Sequence, residues 1–461
     1  MKQFILKTEP VFYANSVDPY IPEWWAMETL AILEENMVAA KMVNRDFEKY
    51  FNKFGDVVNT RRPGEFTAKR KAKGDAVTVQ DATADNVPVR LDQWNHVSFT
   101  IDDIEDTMSM KKLSDEYARP AAMALARMVD QIVLGQYPRF LPNVAGKLNG
   151  VTTANIKDYV IDLRQKLDDN KCYADGRNVI LTSKTEADML RPEWFTSADK
   201  VGDRGEALRK ASLGHKLGFD WWKDINMANV TVGNTIRTFQ VNNVAGYPVG
   251  TTALTVDTGT GEITVGTWVS IDGIPYQVTA RTGTAPTTAI TLSYGLIRAA
   301  ADNDPITVYT PGAVNLVAGY AQYWTKEIVV DGFSVAPRVG QLVSFGTDTT
   351  NRYTIIAVTG TTGITLDRAL EAALVDDATV NIGPAGAYNL ALHKDAITLA
   401  VRGLQPVKNG AGALSTTMDY NGLSLRVTIS YDPTYQKHMW TFDFLSGIQV
   451  LDTDLGAVLL G

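Results

Sequence analysis

The chain has 461 residues, 45% of them apolar and 21% charged, a globular balance in a length that exceeds one ordinary core, so about two to four domains are expected. A formal charge of -8 excludes a nucleic-acid binder that works through a general basic surface, because neutralising phosphates takes clustered Lys and Arg. The single Cys172 excludes an internal disulfide framework, and His96, His215, His393 and His438 are too dispersed to suggest a metal site.

The opening MKQFILK is too short for a signal-peptide core, and no run of about 18 apolar residues occurs, so the product is read as made in the cytosol with no membrane span. Pro10, Pro19 and Pro22 mark an extended arm that something else must hold. From Pro22 to about Tyr50 a helix is predicted, with Ala26, Leu30, Leu33, Met37 and Ala40 forming one narrow apolar seam. That seam needs a partner, on its own domain or on a neighbouring subunit.

Between Gly55 and Ile101 the pattern becomes that of a two-stranded ribbon. Val87, Val89, Leu91, Val97, Phe99 and Ile101 fall on one side of a period-two register, opposite Arg90, Asp92, Trp94, His96 and Ser98. The other limb places Lys69, Lys71 and Lys73 on one strand face, with Arg70 opposite and Arg61 and Arg62 just before. Such a ribbon is marginal alone and its like charges repel, so it is expected to lie on something acidic. A solvated face is the plainer alternative, and contact with DNA a third.

Ser114 to Tyr137 is the longest convincing amphipathic helix. Ser114 caps it, Asp115 and Glu116 suit its first turn, and Leu125, Met128, Val129 and Ile132 share one face. Pro120 either opens the true helix or kinks it. At 1.5 Å per residue the segment spans roughly 35 Å, enough to be the spine of a flattened subunit. A helix over Ile156–Leu167 and the short strand Val179–Leu181 follow, then a basic turn with Gly214 and Gly218 that leads into a strand carrying Phe219, Trp221 and Trp222.

From Val230 to Gly386 the composition moves to Thr, Val and Gly, and the chain repeats itself. Leu254–Asp257 matches Ile328–Asp331, Val269-Ser270 matches Val343-Ser344, and Ile290–Leu292 matches Ile364–Leu366, each at an offset of 74 residues. Tyr276 and Tyr353, with Gly283 and Gly360, agree after a slip of three. Two tandem copies of one small all-β module, inserted into a domain that resumes after them, are predicted. Tyr388 to Gly403 is read as a helix through Leu392, Ala396, Leu399 and Ala400. Asn421-Gly422 marks a turn into an alternating strand, Leu423 to Tyr431, and a last strand around Met439–Val450 carries Trp440, Phe442 and Phe444.

No GxSxG, HExxH or GxxxxGK[ST] occurs, no GxGxxG follows a strand, and adjacent acids such as Asp168-Asp169 point apart in polar turns. The chain is therefore not expected to be an enzyme, and no cofactor or metal is expected. In their order, the ribbon, the SDEYARPAAMALARMVD spine, the Leu-Gly-x-x-Leu-Gly-Phe turn of Leu213–Phe219, NLALHKDAITLA and the closing hairpin that ends FDFLSGIQVL resemble a tailed-bacteriophage major capsid protein. The likeness is nearest to the podovirus-type branch with an inserted β domain.

The resemblance implies an α+β fold of the Hong Kong 97 type with two tandem inserted all-β modules. It divides the chain into an N-terminal arm and helix (1–54), an E-loop β ribbon (55–101), a P domain with the spine helix and the first part of the A domain (102–229), module 1 (230–312), module 2 (313–385), and a return to the A and P domains (386–461). It implies an icosahedral shell of hexamers and pentamers around double-stranded DNA, without sequence-specific binding, located in the virion and assembled in the host cytoplasm. A scaffolding protein and a portal protein are the implied partners; the short arm, with no long charged helical leader, points the same way. Inter-subunit contact is expected from Arg61, Arg62, Lys69, Arg70, Lys71 and Lys73. The alternative is an encapsulin-like cellular compartment of the same fold.

Overall fold

A computed structural model describes residues 20–45, 57–62, 68–71, 73, 77, 85–102, 114–196, 213–226, 235–310, 314–323, 325–333, 336–407, 413–420 and 422–461. The N-terminal arm lies outside the described residues. The fold is mixed α+β, with strands far outnumbering helices. The chain forms two compact units, one from Met1–Glu35, Asn95–Leu125 and Gly403–Phe444, the other from Asn36–Trp94, Ala126–Arg402 and Leu445–Gly461.

Among the described residues the helices are α1 (Tyr20–Asn36), α2 (Arg119–Leu134), α3 (Ile156–Asp169), α4 (Ser183–Leu190) and the single turn α5 (Glu193–Thr196). Strands β1 (Val57–Arg62), β2 (Asp85–Arg90), β3 (Gln93–Asp102), β4 (Val144–Gly146), β5 (Arg177–Leu181), β6 (His215–Lys216) and β7 (Phe219–Lys223) come first. The Thr- and Val-rich region supplies β8 (Thr235–Val241), β9 (Ala253–Asp257), β10 (Trp268–Ile271), β11 (Ile274–Thr282), β12 (Ala289–Leu292) and β13 (Pro305–Thr310). It continues with β14 (Glu327–Val329), β15 (Leu342–Phe345), β16 (Tyr353–Thr359), β17 (Gly363–Leu366) and β18 (Val380–Ile382). The remainder is β19 (Tyr388–His393), β20 (Ile397–Arg402), β21 (Ala413–Tyr420), β22 (Leu423–Asp432), β23 (Lys437–Val450) and β24 (Gly456–Leu460).

In the first unit α1 buries Trp25, Ala26, Leu30 and Leu33, and Trp25 packs on Trp440 with ring centroids 4.5 Å apart. β22 buries its apolar side chains Leu423, Leu425, Val427 and Ile429 at every second position, as period two requires, and buries Ser424 between the first two as well. It pairs antiparallel with β21 on one side and, from Arg426↔Asp443 to Asp432↔Lys437, with β23 on the other. Gly422 takes φ of 77° between β21 and β22, a backbone state that suits glycine. Phe99 of β3 stacks on Phe442 at 5.8 Å, and the Ser98 and Thr441 hydroxyls lie 3.0 Å apart.

The second unit is built on a six-stranded mixed sheet, β4-β24-β19-β5-β7-β6. Ile156, Val160, Leu163 and Leu167 on α3 share a core with Val179, Leu181, Phe219, Trp221, Ala391 and Leu459 of that sheet. Burying each of these large side chains contributes about 1.5–3 kcal/mol. Thr182 caps α4, accepting from the Thr185 amide at 3.2 Å. The chain leaves this sheet after β7 and returns as β19, which pairs with β5 (Leu390↔Ile180). Everything from β8 to β18 is thus an excursion from one sheet.

That excursion contains two sheets with one strand order. β10-β11-β12-β9-β8-β13 close into a barrel, and β14-β17-β16-β15-β18 repeat β9-β12-β11-β10-β13. Ile290 pairs with Leu254 as Ile364 pairs with Ile328, and the bulge at Val278/Ala280 reappears at Ile355/Ala357. Where β8 lies in the first copy, the described residues of the second show the bridges Asn315↔Thr379 and Leu316↔Val330. Side chains repeat as well. Tyr276 Oη accepts from Ile297 N at 3.0 Å and Tyr353 Oη from Glu371 N at 2.8 Å, while Tyr247 and Tyr320 accept from Thr255 N and Val329 N. The slip of three also has a structural origin. Val269↔Tyr276 becomes Val343↔Tyr353, a longer connection, and Thr282↔Ala289 becomes Thr359↔Gly363, a shorter one.

Two sequence expectations are corrected here. The predicted helix from Tyr388 to Gly403 is the strand pair β19 and β20, joined by a turn at Lys394–Ala396 where His393 Nδ1 accepts from Asp395 N at 3.3 Å. All six residues of β19 are buried, and a strand covered on both faces reads as a continuous apolar run that periodicity cannot separate from a helix. The first helix ends at Asn36 rather than near Tyr50. Beyond it Val38 N and Ala40 N donate to the carboxylate of Asp130, at 2.9 and 3.1 Å, in place of helical acceptors. The seam survives this change of backbone: Met37 and Ala40 are buried like Ala26, Leu30 and Leu33.

Candidate assembly interface

The basic residues of the ribbon are placed differently from the sequence reading. β1 and β2 pair from Val57↔Arg90 to Arg62↔Asp85, which sets Arg61 opposite Asn86 and Arg62 opposite Asp85. Lys69, Arg70, Lys71 and Lys73 belong to no strand and are exposed. They therefore do not share a strand face. Like charges at alternate positions oppose pairing, and a two-stranded ribbon has little to offset that cost. The long strand predicted over Val87–Ile101 is likewise two strands, interrupted at Leu91 and Asp92, although Val89, Leu91, Gln93, Asn95 and Ile101 stay buried in one register.

On the spine, Pro120 is the second residue of α2, preceded by a wider π-type turn over Ser114–Ala118. Proline suits a first turn, where its missing N–H has no intrahelical partner to lose. Leu125, Val129 and Ile132 are each 1% exposed and Met128 is half-buried. These four side chains belong to the subunit's own packing. The exposed apolar side chains lie elsewhere: Trp24 and Met27 on α1, Leu414, Tyr420, Tyr431 and Met439 on β21 to β23, and Trp222 on β7.

Sequence reasoning missed the residues that dock module 2 on the end of α2. Asp367 is fully buried; its Oδ1 accepts from Thr354 N at 2.7 Å and its Oδ2 from Gln136 Nε2 and Arg368 Nη1, both at 2.8 Å. Burial raises the Asp367 pKa, and the Arg368 charge and the Thr354 N–H act against that rise. Thr354 Oγ1 donates to Gly135 O at 2.8 Å, Tyr137 Oη to Gly340 O at 3.0 Å, and Arg139 pairs with Glu371. Gln93 Nε2 donates to Asp367 O at 3.1 Å and its Oε1 accepts from Lys326 Nζ at 2.7 Å. The only sequence signal was a run of charged and polar residues, Asp367, Arg368 and Glu371, just after an apolar strand.

Module 1 is held by a different set. The Arg298 guanidinium lies 5.2 Å from the Tyr159 ring centre and 3.7 Å from Asp272, which also pairs with Lys147. The modules meet through Gln277, fully buried, whose Nε2 donates to Ser344 Oγ at 3.0 Å while its Oε1 accepts from Arg352 Nε at 3.1 Å. Such interlocked polar contacts fix orientation, because each buried group left unpaired costs about 1–3 kcal/mol.

Among the described residues no group of three or more His, Cys, Asp or Glu could hold a metal ion, and no helix is long and apolar enough to cross a membrane. No protein-family model matches the sequence, and no curated relative does. The likenesses are to solved phage structures. The chain is similar to one from Mycobacterium phage Che8, at 13% identity and a TM-score of 0.42, covering 92% of this chain and 90% of that one. It is similar to the capsid structure of the cyanophage P-SCSP1u (10%, TM-score 0.41, 88% and 83% covered). It is also similar to the mature capsid of bacteriophage PhiM1 (8%, TM-score 0.39, 88% and 81% covered).

Proposed function

We propose that the chain is the major capsid protein of a tailed phage, a structural protein whose work is association with copies of itself. The observation that carries this reading is the order of parts: a ribbon (β1 and β2), a long helix (α2), a mixed sheet that the chain leaves for two β modules and rejoins, and a closing hairpin (β22 and β23). In this reading β1 and β2 are the E-loop, α2 is the spine of the P domain, and the six-stranded sheet is the core of the A domain. The modules, each with its own core, are placed on the shell's outer face.

Assembly as hexamers and pentamers into an icosahedral shell around double-stranded DNA is part of the proposal, with a scaffolding protein and a portal as partners. Many modest contacts, each repeated by symmetry, then sum to a stable shell. The acidic balance suits an inner wall that should not hold DNA tightly. Co-expression with a scaffold, followed by sedimentation and negative-stain microscopy, tests this. Closed particles of megadalton size are expected; a stable monomer under all assembly conditions overturns the reading, and particles filled with an enzyme rather than DNA favour a cellular compartment.

A further inference from the structure

The loop between β15 and β16 is where module 2 departs from module 1, and it lines a cavity of about 320 Å³ together with the turn after α2 and the segment after β23. Three arginines face this cavity, Arg139, Arg352 and Arg368, against one lining carboxylate, Glu371. Arg368 spends one N–H from each of its three nitrogens on the protein. It donates to Glu371 at 2.9 Å, to the buried Asp367 at 2.8 Å and to Arg352 O at 2.7 Å. Glu371 must also serve Arg139, so a single carboxylate oxygen is shared by two guanidinium groups.

Among the described residues no carboxylate lies within ion-pair distance of Arg352. Its Nε donates to Gln277 Oε1 at 3.1 Å and its Nη2 to Thr349 O at 3.4 Å. The nearest acid along the chain, Asp348, spends its oxygens on its own turn, accepting from Thr350 N, Asn351 N and Asn351 Nδ2 at 2.8, 3.1 and 2.8 Å. Arg139 and Arg352 are thus left with N–H groups beyond those their protein partners use, in a half-open cavity whose lining is positive. Burial and the neighbouring Arg368 charge push Arg139 down to about 9, and burial lowers Arg352. Guanidinium groups only partly compensated by nearby negative charge behave this way, and guanidinium is the side-chain group best matched to planar and tetrahedral oxyanions.

We propose that this cavity is an oxyanion site, held by Arg139 and Arg352 and sized for a phosphate-class anion. The test reads binding by the full-length subunit and does not depend on shell formation, so it can fail without touching the capsid reading. Inorganic phosphate is titrated calorimetrically, and against the thermal midpoint, at ionic strength held constant with chloride. Wild type is expected to bind saturably and to gain a saturable rise in midpoint. Arg352→Gln removes the saturable part, read as the phosphate-dependent difference within the variant because losing the Gln277 contact lowers the midpoint by itself. Thr350→Glu, an exposed rim change that spares every contact above, is the second variant; a carboxylate added beside the arginines is expected to weaken binding about tenfold or more. Absence of saturable binding in wild type, or equal binding by wild type and Thr350→Glu, overturns the site. A shift that tracks phosphate linearly in all variants is a general salting effect and overturns it equally.

Discussion

Asp130 of α2 and Asp224, just after β7, are both buried, 1% and 3% exposed, and the charge of Asp224 reaches the Asp130 carboxyl and raises its pKa. Two buried carboxylates that feel each other's charge cannot both be ionised at low cost, which favours one shared proton on the pair. Burial, and then the charge of Asp224, pushes Asp130 up to about 7. Burial raises Asp224 as well, while its Oδ1, which accepts from Asn226 N at 2.8 Å, works against that rise.

A pH dependence follows from that pair. In the unfolded chain Asp130 loses its proton near 4, whereas in the folded subunit it keeps it to about 7. The folded state therefore holds the extra proton in that window, and stability is greatest at its acid end. It is expected to fall as pH rises from about 4 to about 7, by on the order of 1.4 kcal/mol per pH unit from this group, and to level off above. Asp130→Asn stays neutral and should flatten the profile, at a cost of about 1 kcal/mol for one of the two amide bonds from Val38 and Ala40. Thermal midpoints of both proteins between pH 4.5 and 8.5 check this; parallel profiles would show that another group sets the slope.

The duplicated tyrosines offer a matched pair of deletions. Tyr276→Phe leaves Ile297 N without its acceptor and Tyr353→Phe does the same to Glu371 N. Each is expected to cost about 1–3 kcal/mol, and the two should agree closely because the surroundings are copies of one design. Urea unfolding of each single variant and of the double gives the comparison, with additive losses expected for sites in separate modules.

Much of this was legible in the sequence, and the reasons are specific. Apolar side chains at a constant register report one buried face, so Ala26 to Ala40, Ile156 to Leu167 and Leu423 to Ile429 could be read directly. The offset of 74 residues between Ile290 and Ile364 was visible because a repeated fold repeats its core positions. β19 was misread because a strand buried on both faces has no period of its own. The Asp367 network was invisible for another reason: its partners, Gln93, Gln136, Thr354 and Arg368, are scattered in sequence, and nothing local announces that they converge.

Gly135 tests the docking of module 2. An added Cβ at this position would lie 2.6 Å from the Asp367 Cβ and 3.0 Å from Gln131 O, so Gly135→Ala must push the two apart. Asp367→Ala removes the shared acceptor and leaves the Arg368 charge with only Glu371. Breaking a buried pair in this way costs about 3–5 kcal/mol. Limited proteolysis with mass spectrometry is the readout, with earlier cleavage around residues 314–385 expected in both variants while α3 and its sheet stay protected. Unchanged protection of module 2 would mean that Tyr137, Arg139 and the Gln277 contacts hold it unaided.

The basic stretch at Lys69, Lys71 and Lys73 carries the remaining prediction. All three are exposed and outside any strand, so an argument from a shared strand face is lost, but three ammonium groups within five residues of a chain of net charge -8 still favour an acidic surface. In the capsid reading the nearest such surface is a neighbouring copy. Exposed pairs are worth only ~0.2 to 1 kcal/mol each, so replacing all three by Ala should weaken that contact by about 1–3 kcal/mol. The monomer's own stability should be unchanged, since these side chains are not part of its core. Repeated around a shell, the loss lowers the yield of empty particles and reduces the sensitivity of assembly to salt, because fewer charges remain to be screened. Light scattering of scaffold-driven assembly at 50 to 300 mM salt, roughly the range over which the Debye length falls below 10 Å, compares wild type with Lys69→Ala/Lys71→Ala/Lys73→Ala. If the lysines instead touch packaged DNA, empty shells form alike in both proteins and only filled particles suffer. Identical yields and identical salt slopes for empty shells would therefore remove the inter-subunit role.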